Sequence, residues 1–114
     1  VFMTVGKKEK VISLSLLKTD TLETFSEKLK DEVDKIDDGR GVVIMADMFV
    51  GTPTNAAFTL YSANPAVKII TGVNMPMVVE AMNHIEKTSA EITEMIMAKK
   101  DRLIIDVKTM MGKR

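Results

Sequence analysis

Five consecutive residues, Val42-Val43-Ile44-Met45-Ala46, are apolar with no polar residue among them. A strand with one solvated face alternates; this one offers two dry faces, the pattern of a parallel strand covered by helices on both sides. Such a strand cannot stand alone. It needs neighbours in its own sheet and amphipathic helices above and below, which commits the chain to an α/β fold. At 114 residues the chain suits one such unit, and no repeat, linker or low-complexity tract divides it.

The flanking pattern supplies the other elements. Residues 11–17 alternate, with Ile12, Leu14 and Leu16 on one face and Ser13 and Ser15 on the other, and read as a strand. Asp20 with Glu23 resembles a capping box, and Leu22, Phe25, Leu29, Val33 and Ile36 then recur at helical spacing, so a helix is predicted over residues 21–36. Gly39-Arg40-Gly41 ends it. After Asp47, Thr52-Pro53 reads as an N-cap followed by proline at the first helical position, with the helix running to about Ser62. Residues 67–71 form a second buried strand, Gly72 turns the chain, and Asn74-Met75-Pro76 starts another helix. Thr88 with Glu91 forms a further capping box, opening a helix whose apolar positions include Ile92, Met95, Ile96 and Leu103. Residues 103–107 either prolong that helix or form a short strand. The expected architecture is a mostly parallel sheet with helices on both faces and right-handed crossovers.

Composition removes several functions. Sixteen basic against 16 acidic residues leave no net charge, so the basic excess that drives nucleic-acid binding is missing. Cysteine is absent, which excludes disulfides, thiolate metal sites and a cysteine nucleophile and fits an intracellular address. A single histidine cannot build a multi-histidine zinc site. No apolar stretch approaches the ~18 residues of a membrane span, and no signal sequence opens the chain. Its first residue is Val1, which suggests a fragment or a processed start. Ten methionines are read as adaptable core filler, Met45, Met75, Met77, Met82, Met95 and Met97 among them, rather than as metal or cofactor ligands.

Between residues 41 and 80 the only charged side chains are Asp47, Lys68 and Glu80. In open α/β sheets ligands bind beyond the carboxyl ends of the strands. Asp47, Thr52, Asn55, Gly72 and Asn74 all fall there. Thr52 and Asn55 lie at a helix start, where free N–H groups and the positive end of the dipole favour an anion; the plainer alternative is that Thr52 only caps the helix. Asp47 either orients a histidine or caps its loop, and Asn74 either contributes to the site or turns the chain after Gly72. His84 reads as a surface residue remote from this mouth. No Walker loop is present, so P-loop nucleotide binding is excluded.

The segment from Asp47 to Ala57, Asp-Met-Phe-Val-Gly-Thr-Pro-Thr-Asn-Ala-Ala, followed by Ile69-Ile70-Thr71-Gly72-Val73-Asn74-Met75-Pro76-Met77, resembles the mannose-family IIA domain of the bacterial phosphoenolpyruvate-dependent sugar phosphotransferase system. The resemblance extends loosely over most of the chain, with residues 3–6 resembling the end of the family's first helix. It implies a phosphoryl carrier in sugar uptake, a cytoplasmic phosphotransferase component. In that family a histidine in the loop after the first strand accepts a phosphoryl group from the phosphocarrier protein and hands it to a IIB domain. Asp47 would support that histidine, and Thr52, Asn55 and Asn74 would hold the phosphate. No metal or other cofactor is implied. The family also implies a homodimer with a C-terminal segment exchanged onto the partner's sheet, for which residues 103–107 are the candidate, and an indirect membrane association through the sugar permease.

Two departures stand out. Val50 replaces a glycine usual in the family, and the first strand, histidine loop and most of the first helix would precede Val1, leaving residues 1–114 an N-terminally incomplete IIA-like domain. In the resembling fold the absent strand lies between those of residues 11–17 and 42–46; either residues before Val1 supply it or the chain closes that gap in another way. The alternative function is a IIA-like regulatory or interaction module without turnover, such as part of a transcriptional regulator.

Overall fold

A computed structural model describes residues 2–7 and 10–112, with side chains from Val11 onward. Strands β1 (Phe2–Lys7) and β2 (Lys10–Ser15) form an antiparallel hairpin; helix α1 (Leu22–Ile36), strand β3 (Val42–Ala46), helix α2 (Thr52–Tyr61) and strand β4 (Val67–Thr71) follow. Helices α3 (Met75–Asn83), α4 (Ser89–Ala98), α5 (Lys100–Leu103) and α6 (Val107–Met110) complete the chain. The sheet order is β2-β1-β3-β4. β3 and β4 pair in parallel, while β1 is antiparallel to both of its neighbours, so three strands share one direction and β1 runs against them.

β1 corrects one expectation. Residues 3–6 belong to a strand, not to the end of a helix, and that strand lies between β2 and β3, with Met3 opposite both Leu14 and Ala46. The gap beside β3 is closed by the chain itself, which gives the all-apolar strand a neighbour on each edge.

The apolar run divides between two cores as its pattern demands. Val42, Ile44 and Ala46 point to one side and join Phe25, Leu29, Val33 and Ile36 of α1 with Ala56 and Ala57 of α2. Val43 and Met45 point to the other and meet Ile70, Met77 of α3, and Ile92 and Ile96 of α4. On β2, Ile12 and Leu14 pack onto the first core while Ser13 and Ser15 stay exposed, as the alternation requires. Two of the six methionines read as core filler, Met45 and Met77, are buried; Met75, at 72% exposure, Met82 and Met97 are on the surface. Helical spacing alone does not say which side of a short helix meets the sheet.

Helix starts follow their caps. α4 has the expected capping box: the Thr88 N–H donates to Glu91 Oε1 at 2.9 Å, and the Glu91 N–H to Thr88 Oγ1 at 3.2 Å. On α1 the box is shifted by one residue, from Asp20 and Glu23 to Thr21 and Thr24. Asp20 instead accepts from the Leu17 N–H, Thr24 Oγ1 and Lys28 Nζ, closing the turn that enters the helix.

Candidate functional site

The carboxyl ends of β3 and β4 lie side by side, with Ala46 paired to Thr71, and the Val73 N–H donates to the Ala46 carbonyl at 3.1 Å. That bond draws the turn after β4 against the end of β3. Asp47, exposed and immediately beyond Ala46, therefore shares one mouth with the residue 72–74 turn and with the start of α2.

Thr52 is not the N-cap of α2. Gly51 is, at φ 130°, and Thr52 is the first helical residue with Pro53 the second. α3 is built alike, with Asn74 as cap, Met75 first and Pro76 second. In both, proline occupies the second helical position rather than the first, which displaces the cap by one residue. Without a side chain, Gly51 cannot accept the first N–H groups. Among the described helices of eight residues or more, α2 alone starts without a side-chain cap. Its first-turn donors, on Thr52 and Thr54, are left for solvent or for an anion.

Thr54, which the sequence places only at the helix start, also holds this loop in shape. Its buried hydroxyl donates to the Met48 carbonyl at 2.5 Å, and the Asn55 N–H donates to the Gly51 carbonyl at 3.0 Å. Asn55 is exposed beside an open cleft of about 440 Å³ lined by Phe49, Val50, Thr54, Phe58 and Thr71. Asn74 does its structural work: Oδ1 accepts from the Met77 N–H at 3.1 Å, and its amide nitrogen has no partner among the described residues. Phe49, at 79% exposure, with Met48 and Val50 gives the mouth an apolar rim.

His84 stays outside this site, as its position in the sequence suggested. It is the C-cap of α3, ten residues beyond Asn74 and so roughly 15 Å along the helix. It is half-buried rather than fully on the surface, with Nε2 3.4 Å from Glu80 Oε2. Glu80 also takes Lys99 at 2.7 Å, and that ammonium holds its carboxyl below the ordinary value. Among the described residues no group of His, Cys, Asp and Glu side chains could hold a metal, and no helix is long and apolar enough to cross a membrane.

Fold and site together define an α/β domain whose mouth presents uncapped helix N–H donors, a threonine and one carboxylate at the ends of two parallel strands. The family model described as "PTS system fructose IIA component" matches residues 1–99. The chain belongs to that family of phosphotransferase-system IIA components. It is 32% identical over 80 residues to the PTS system mannose-specific EIIAB component of Escherichia coli (strain K12), covering 70% of this chain and 25% of that protein. It is 27% identical over 81 residues to the PTS system fructose-specific EIIA component of Bacillus subtilis (strain 168), covering 71% of this chain and 56% of the other. The chain thus spans a quarter to just over half the length of these relatives. The crystal structure of the PTS IIA protein associated with the fucose utilization operon from Streptococcus pneumoniae is similar at a TM-score of 0.70 and 25% identity, over 86% of this chain and 71% of that one.

Proposed function

We propose that this chain is the main part of a cytoplasmic phosphoryl carrier in sugar uptake, taking its phosphoryl group from the phosphocarrier protein and passing it to a IIB domain. The observation that carries this reading is that the uncapped start of α2 and Asp47 both lie beyond the carboxyl ends of the parallel pair. Phosphoryl transfer demands positioning and charge stabilisation more than covalent machinery, and such a mouth supplies both.

The acceptor in this reading is a histidine on residues preceding Val1. Because β1 begins opposite Ala46, chain leading into β1 arrives beside Asp47. An imidazole there donates one N–H to the Asp47 carboxylate, which fixes the ring and stabilises positive charge on it. The other nitrogen attacks phosphorus as the donor's P–N bond breaks, and the displaced donor imidazole keeps that electron pair. The phosphoryl oxygens then face the Thr52 and Thr54 N–H groups, the Thr52 hydroxyl, and Asn55 and Asn74.

The test uses the longer gene product with phosphoenolpyruvate, the first enzyme of the system and the phosphocarrier protein. Acid-labile phosphate on a histidine is the expected result, and Asp47→Asn slows its formation by about tenfold or more while leaving the circular dichroism unchanged. Absence of any label would replace this reading with a binding-only regulatory module. Full-speed labelling of Asp47→Asn would remove Asp47 from the chemistry.

A further inference from the structure

Two clefts flank the carboxyl end of β4 and share Thr71 as a wall. The first, toward α2, has no charged side chain in its lining. The second, of about 200 Å³, opens between the Gly72 to Asn74 turn and the junction of α4 with α5. Lys100 lines it, and among the described residues it is the one charged group on either cleft.

The junction that carries Lys100 is fixed. Lys99 binds Glu80 of α3 through Nζ at 2.7 Å, and its backbone N–H donates to the Ile96 carbonyl at 3.0 Å. Lys100 itself is exposed, and its ammonium has no hydrogen bond or ion pair among the described residues. A rigidly mounted but unpaired ammonium therefore lines the same cleft as Asn74, whose amide nitrogen is also uncommitted. A lysine on a flexible stem acts on a phosphate as a mobile point charge. The mouth accordingly has its carboxylate, Asp47, on the β3 side and its cation on the β4 side.

We propose that Lys100 is a phosphoryl-binding residue, the counter-charge that holds a phosphate anion against the residue 72–74 turn. The inference rests on reading the mouth as a phosphoryl site. Arg102 offers an internal comparison, because it has the same charge but lines a different cleft, beside Met75, Pro76 and Glu80.

The experiment is a titration of the ¹⁵N-labelled chain with inorganic phosphate at low ionic strength, followed through backbone amide shifts. Phosphate is expected to move the amides of Thr52, Thr54, Asn55 and residues 72–75. Lys100→Ala should weaken its affinity about three- to fivefold, the weight of an exposed ion pair, while Lys100→Arg restores it and Arg102→Ala leaves it unchanged. The same amide shifts with undiminished affinity in Lys100→Ala would remove Lys100 and leave the phosphoryl site standing. An equal loss in Arg102→Ala would reduce the effect to the general field of the surface and overturn the assignment. No shift at the mouth in the unaltered chain would overturn the site and Lys100 with it. The unfolding midpoint of Lys100→Ala should match that of the parent; a clear drop would mark a structural role instead.

Discussion

At Gly41 the backbone takes φ 89°, and a Cβ there would meet the Ser89 hydroxyl and the Ala66 carbonyl. Those groups are themselves bonded, Ser89 Oγ donating to the Ala66 carbonyl at 2.7 Å, and the Ser89 N–H donates to the Arg40 carbonyl at 2.8 Å. The start of β3, the start of β4 and the first turn of α4 thus meet at one point with no room for a methyl group. Gly41→Ala combines a disfavoured φ with a clash and should cost about 2 kcal/mol or more, read as a lower urea midpoint. Tyr61 presents the reverse case, a group whose removal costs little polar bonding. Its hydroxyl is buried with no hydrogen-bond partner among the described residues, and burial, aided by the nearby Asp34 carboxylate, pushes its pKa up to about 12 from an ordinary 10.0. The folded chain therefore holds this proton more tightly than the unfolded chain, so stability is intact below pH 10 and falls as pH rises from 10 toward 12. Because Tyr61 is the only tyrosine and tryptophan is absent, absorbance near 295 nm, a wavelength of roughly tyrosinate character, reports this one group. The expected titration lies well above that of free tyrosine, and Tyr61→Phe should abolish it and flatten the alkaline loss of stability.

Caps connect single residues to whole elements. Thr88→Ala breaks both halves of the α4 box and should cost about 1 kcal/mol, measurable by chemical unfolding. The carboxylates at these helix starts make the effect pH-dependent. Asp20 is held below its ordinary 3.8 chiefly by Lys28 and then by the Leu17 N–H, and Glu91 below 4.5 by the Thr88 N–H and hydroxyl. Both are depressed in the folded state, so their contribution is complete above those ordinary values and is lost as pH falls through the lower folded ones. Acid unfolding of Glu91→Gln should accordingly show a shallower pH dependence below pH 4.5 than the parent chain. The same local chemistry explains which elements could be read from sequence. Thr88 with Glu91 has one self-consistent solution and was legible, whereas Asp20, Thr21 and Thr24 offer two competing boxes, and the bonds from Lys28 and Leu17 decide between them. The α2 start was legible to within one residue, because proline marks either of the first two helical positions. β1 was not legible, since a six-residue run acquires its conformation from β2 and β3 on either side.

At the scale of the whole molecule, the location of the mouth followed from strand order and polarity, while its walls did not. Asp47, Thr52, Asn55 and Asn74 gather there because parallel strands end together, which a sequence pattern can express. Thr54, Thr71 and Lys100 line it only because a loop folds back on Met48 and because α4 and α5 pack over β4, and neither event leaves a periodic trace. The sheet has two outer strands, β2 and β4, and β4 has no partner beyond it among the described residues. Residues 103–107, expected to be either helix or strand, are neither throughout: α5 ends at Leu103, Ile104 is extended at φ −132° and ψ 118°, and α6 begins at Val107. Ile104 is 79% exposed and Ile105 is exposed beside it. An open strand edge and an extended apolar segment in the same chain would satisfy each other if two copies exchanged them, which is the homodimer that the sequence resemblance implies. Sedimentation at micromolar concentration should give a dimer for the parent chain. The double substitution Ile104→Lys and Ile105→Lys, which places two charges where strand pairing needs apolar side chains, should give a folded monomer with the parent's circular dichroism. A parent chain that sediments as a monomer throughout, or a double variant that remains dimeric, would remove the exchanged segment from this fold.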